Sequence, residues 1–112
     1  MTDRELLELA AKASGIEYGT KRSTPPTPAL YLGPSGGWWN PLTDDGDALR
    51  LAVKLRINIE HCRTMGGKFV ELHAWPVGRG DCAGVEAFED DECAATRRAI
   101  VRAAAELGRN IP

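Results

Sequence analysis

The residues whose types and spacing can carry chemistry fall into a few groups. Glu71 and His73 stand two apart, which puts both side chains on one face of a strand. A carboxylate beside an imidazole is the arrangement of a general base and its orienting partner. No Ser or Cys nucleophile is tied to them by spacing, so a half-buried strand histidine is the simpler expectation. His61, Cys62, Cys82 and Cys93 join His73 as donors able to bind a metal. No C-x-x-C pair occurs and the spacings match no zinc pattern, so neither a metal nor a cofactor is expected. Three cysteines, an odd number, argue against a disulfide framework. Asp44, Asp45 and Asp47 can gather round a divalent cation, but the twelve-residue calcium pattern is absent. Capping of a helix start explains the three acids without a ligand.

Trp38, Trp39 and Trp75, with Tyr31 and Phe69, suit either an aromatic contact surface or the core of a small domain. Both readings stay open at this level. Adjacent strand residues point to opposite faces, so one of Trp38 and Trp39 enters the core and the other lies at a rim. A small-molecule or nucleotide site would set His73, Glu71 and Arg79 as polar anchors around the tryptophans. The candidate binding residues are therefore Trp38, Trp39, Trp75, His73 and Arg79; no catalytic residue is assigned. Arg97, Arg98, Arg102 and Arg109 form a basic strip, read as a solvated helix face. Nucleic-acid binding would need them to converge with Lys21 and Arg22.

The elements that must position these groups follow from periodicity and caps. Asp3 to Ser14 reads as a helix: Thr2 is its N-cap, Glu5 stands at the capping-box position, and Gly15 stops it. Residues 19–28, with Pro25, Pro26 and Pro28, cannot form a core and read as a mobile loop. Ala29 to Leu32 and Trp38-Trp39 form a hairpin around Gly33-Pro34-Ser35-Gly36-Gly37. A helix follows over Asp45 to Arg56, capped by Thr43 or Asp44, with Ala48, Leu51, Ala52 and Leu55 inward and Leu49 and Val53 at the flanks. Strands are expected at Ile57 to Cys62, Lys68 to Trp75 and Val85 to Phe88. The second alternates: Val70, Leu72 and Ala74 one way, Phe69, Glu71, His73 and Trp75 the other. The last helix runs from Asp91 to Leu107, with Gly108 as its stop. The order α-β-β-α-β-β-β-α predicts an α+β fold with three helices and a largely antiparallel sheet of four to five strands.

With 112 residues the chain holds one domain, residues 1–112. Fourteen Lys and Arg against sixteen Asp and Glu give a net charge of -2, which disfavours a basic nucleic-acid binder. No apolar run approaches the roughly 20 residues of a membrane span. Met1 to Glu5 lacks the basic-then-apolar order of a signal peptide, so the expected location is the cytosol.

Two stretches carry a family resemblance. One is Asn40-Pro41-Leu42-Thr43-Asp44 leading into Ala48-Leu49-Arg50-Leu51-Ala52-Val53-Lys54-Leu55. The other is Glu92-Cys93-Ala94-Ala95-Thr96-Arg97-Arg98-Ala99-Ile100. In that order, with the strand Phe69 to Trp75 between them, residues 38–108 resemble the small phage proteins of the ABA-sandwich type, and in outline the NinX group. Leu42 stands where the family often has a small hydroxyl residue, and Thr96-Arg97-Arg98 where it often has Ile-Cys-Arg. The resemblance implies helix-sheet-helix layering and a phage or prophage accessory protein in a bacterial host cytosol. It implies no activity. The expected partners are a second copy of the chain or a phage or host protein, through Trp75, the exposed member of the Trp38-Trp39 pair and the Pro25–Pro28 loop.

Overall fold

The computed structural model describes residues 1–20, 28–63, 65–67, 69–78, 84–87 and 91–112, the side chains of Phe69 and Val70 excepted. Residues 21–27 of the loop expected over 19–28, Arg79, Cys82 and Phe88 lie outside the described residues. The elements are α1 (Asp3–Ser14), β1 (Leu30–Tyr31), β2 (Trp38–Trp39), α2 (Asp45–Leu55), β3 (Ile57–Arg63), β4 (Phe69–Pro76), β5 (Gly84–Ala87) and α3 (Glu92–Arg109). Order and type match the expectation, and the fold is α+β.

Local chemistry sets the helix ends. The Thr2 hydroxyl accepts the Glu5 N–H at 3.1 Å, and Gly15 turns left-handed to close α1. Asp44 caps α2 by accepting the Asp47 N–H at 2.8 Å. Arg56 ends that helix at φ 55°, its N–H reaching the Ala52 and Val53 carbonyls. Asp91 caps α3 through the Ala94 N–H at 2.9 Å.

The strands do not form the single sheet of four or five expected from the sequence. They form an antiparallel pair, β1-β2, and a separate antiparallel sheet in the order β3-β4-β5. The hairpin pairs only Leu30 with Trp39 and Tyr31 with Trp38. With so few paired positions it gains more by burying Leu30 and Trp39 beside α1 and α2 than by extending the sheet.

The layering also differs from helix-sheet-helix. Leu72, Ala74 and Pro76 of β4 are buried beneath α3, which packs on β4 and β5. The opposite sheet face carries Asn58, Glu60, Cys62, Glu71, His73, Trp75, Val85 and Ala87, all exposed or half-buried. Helix α1 lies on the far side of α3, giving the order sheet, α3, α1. That position explains the composition of α3, whose Ala99, Ile100, Val101, Ala103, Ala104 and Ala105 are buried around most of its circumference. Small side chains let both neighbours approach closely. The two helices run in the same direction: Arg98 meets Asp3 at 2.8 Å, and Lys12 reaches the Ile111 carbonyl at 2.7 Å.

Gly108 is not the helix stop. Helix α3 continues through it to Arg109, and Asn110 is the cap. Gly108 sits where a Cβ would overlap the Leu9 carbonyl of α1, and Gly84 holds the same relation to the Ala99 carbonyl. Both glycines mark backbone contacts that no other residue permits.

Candidate functional site

The open sheet face brings four reactive side chains into a two-by-two array. Register places Glu60 opposite His73 and Cys62 opposite Glu71. His73 and Glu71 share a face, as their spacing predicts, with Nε2 3.2 Å from Oε1. The approach lies off the line of a hydrogen bond, and Nε2 is buried with no hydrogen-bond partner among the described residues. The Cys62 thiol lies 3.8 Å from Glu60 Oε1. The array thus holds an imidazole between two carboxylates, and the thiol contact described is with a carboxylate rather than with the imidazole that activates a nucleophilic cysteine. Among the described residues no three His, Cys, Asp or Glu side chains are placed to hold a metal ion.

The tryptophans are not one cluster. Trp39 is 5% exposed and belongs to the core. Trp38, on the other face of the same short strand, is 42% exposed and tilts against Tyr31 with ring centroids 5.1 Å apart. Trp75 lies half-buried on the open sheet face, opposite Asn58. One described cleft, of about 310 Å³, is lined by Trp39 with Leu32, Leu51, Asp47, Arg50 and Lys54. Another, of about 220 Å³, is lined by Leu49, Ala48, Ile59, Cys93, Arg97 and Ile100, among others. Neither includes His73 or Trp75, so the pocket that would join those two is not formed at either cleft.

Most of the charged groups singled out from the sequence join elements to one another. Arg97 is held by the Leu42 carbonyl at 2.8 Å and by Asp45 at 2.5 Å. Arg98 grips Asp3. Arg102 donates to the Val85 carbonyl at 2.9 Å and to Glu86 at 3.2 Å. Arg109 lies 3.6 Å from Glu106. Arg97, Arg98 and Arg102 of the expected solvated strip are therefore clamps between α3 and its surroundings, whereas Arg109 pairs within α3 and stays on the surface. The acids at 44–47 are likewise engaged: Asp44 caps, Asp45 meets Arg97, and Asp47 accepts the Asn40 N–H at 3.0 Å and pairs with Arg50 at 2.7 Å.

One surface was not singled out from the sequence. Leu49 and Val53, one turn apart on α2, are 64% and 62% exposed, and Ile59 of β3 is 38% exposed. The signal was present. Ala48, Leu51 and Ala52 already complete the buried stripe of α2, so Leu49 and Val53 form a second stripe at i, i+4 spacing with no inward role. No family model, curated protein or solved structure matches the chain. Among the described residues, no helix is long and apolar enough to cross a membrane.

Proposed function

We propose that this chain is a non-catalytic module that associates with protein, itself or a partner, as an accessory protein of a phage or prophage. The phage part of the reading rests on the resemblance of residues 38–108. The association part is carried by one observation: Leu49 and Val53 stand largely exposed one turn apart on α2, and Leu49 lines a cleft with Ile59. Exposed apolar side chains gathered on one surface mark a contact with another macromolecule. Trp38 and Trp75 add amphipathic rings of the type favoured at such contacts.

Native mass spectrometry of the untagged chain purified from a bacterial host tests the reading. The expected species is a bare oligomer or a stoichiometric complex with a second protein. A monomer, whether bare or carrying a stoichiometric small molecule or metal, overturns it.

A further inference from the structure

Helix α2 carries different side chains on its two sides. At about 3.6 residues per turn, Leu49 and Val53 fall on one side, and Asp47, Arg50, Leu51 and Lys54 on the other. The second group lines the cleft of about 310 Å³, which the end of α1 closes through Ile16 and the hairpin through Leu32 and Trp39. That volume is at the lower end of the range for small-molecule sites, roughly 300 Å³ and upward. Leu51 and Trp39 are buried, and Leu32 and Ile16 pack against the core. The buried polar residue of the lining, Ser14, donates its hydroxyl back to the Ala10 carbonyl at 3.0 Å. An indole among aliphatic side chains suits a flat aromatic body.

The charges of the lining are not balanced. The Asp47 side chain, 14% exposed, accepts the Asn40 N–H at 3.0 Å and the Arg50 guanidinium at 2.7 Å. Asp44 stands 3.9 Å from the same guanidinium, so Arg50 is committed to these acids. Lys54 follows one turn later. It is exposed and makes no hydrogen bond or ion pair among the described residues. Two cations one turn apart repel, and the uncompensated one in the lining is Lys54.

From this we infer that the cleft binds a small aromatic carboxylate, with its ring among Trp39, Leu32 and Leu51 and its carboxylate on the Lys54 ammonium. A lone ammonium is a compact point charge that suits one carboxylate. A phosphoryl group fits less well. It carries about twice the charge and is best held by a fork of donors, whereas the guanidinium of this lining is already taken by Asp47. The cleft lies across α2 from Leu49 and Val53, so its test is independent of the association reading.

The probes are naphthoate and its uncharged amide, naphthamide, added to the isotope-labelled full chain. The readout is the indole N–H resonances of Trp38, Trp39 and Trp75 in NMR spectra, assigned with Trp38→Phe and Trp75→Phe. Naphthoate is expected to shift the Trp39 resonance saturably, one to one, and by more than those of Trp38 and Trp75. Naphthamide is expected to bind about fivefold more weakly, the size of one exposed ion pair. Lys54→Ala is expected to lose naphthoate affinity by the same factor, and Lys54→Arg to keep it, with unshifted core amides showing that both variants are folded. Equal affinity for the two probes, or a Lys54→Ala variant that binds naphthoate as wild type does, overturns Lys54 as the anchor and the proposal with it. Shifts that never saturate, or that centre on Leu49 and Ile59, show an adventitious apolar contact and overturn the site. An unmoved Trp39 resonance overturns the inference outright.

Discussion

Gly108 of α3 lies against the backbone carbonyl of Leu9 in α1, so close that a Cβ at position 108 would occupy the space of the carbonyl oxygen. This contact sets the separation of the two helices and hence the position of α1 behind the core. Gly108→Ala tests it. In an exposed helix interior Ala would stabilise by about 1 kcal/mol relative to Gly. Here the overlap with main chain cannot be relieved by rotating a side chain, and forced core insertions cost about 1–3 kcal/mol. The expected result is a lower denaturant midpoint in spite of better helix propensity. A midpoint equal to or above wild type would show that the helices separate freely.

Arg97 links α3 to the start of α2. Its side chain is only 15% exposed, and it donates both to the Leu42 carbonyl and to Asp45. Arg97→Ala leaves the carbonyl without its charged donor, at an expected loss of about 1.5–3 kcal/mol. Arg109 meets Glu106 on the surface, so Arg109→Ala should cost about 1 kcal/mol or less. Urea unfolding of the two variants side by side checks the order. Equal losses would mean that the Leu42 contact contributes nothing.

The two adjacent tryptophans separate packing from surface. Trp39→Ala opens a core cavity and should cost about 3–5 kcal/mol. Trp38→Ala removes one tilted contact with Tyr31 and should cost about 1 kcal/mol, the size of such aromatic pairs. Acrylamide quenching gives an independent check: Trp38→Phe should remove the more accessible emission and Trp39→Phe the protected emission. Similar quenching in both variants would contradict the placement of Trp39 in the core.

Features decided within a few residues were legible from the sequence. Thr2, Asp44 and Asp91 sit where short polar side chains meet a helix start, and each accepts an N–H three residues on. The alternation through Leu72, His73, Ala74 and Trp75 told which side chains face α3, because strand period is fixed by the backbone. The placement of His73 beside Glu71 followed from the same rule. Features decided by distant partners were not legible. A glycine near a helix end serves equally as a left-handed stop or as a point of close approach, and only Leu9, almost a chain length away, distinguishes them for Gly108. The arginines of α3 show the same limit. A run of cations on a helix reads as solvated until Leu42, Asp45, Asp3 and Val85 are seen to converge on it. The division into two sheets depends on where the hairpin buries Leu30 and Trp39, which strand propensity does not encode.

Tyr18 gives the chain a predicted sensitivity to alkaline pH. Its hydroxyl donates to Glu8 at 3.0 Å, and the Arg4 guanidinium stands over its ring at 5.9 Å. Burial is the largest cause raising its pKa above the ordinary 10.0, followed by the hydrogen bond to Glu8 and that carboxylate's charge; Arg4 acts the other way. The folded protein therefore holds the neutral phenol more strongly than the unfolded chain does. The stabilising contribution is fully present below about pH 10, the unfolded value, and is lost as pH rises through the higher folded pKa. Tyr18→Phe cannot ionise, so its stability should fall less steeply than wild type's above about pH 10. Urea midpoints measured from about pH 8 to about pH 11 supply the test. Superimposable slopes would show that the Glu8 contact does not favour the protonated phenol, whereas a difference confined to the alkaline arm would tie it to this hydroxyl.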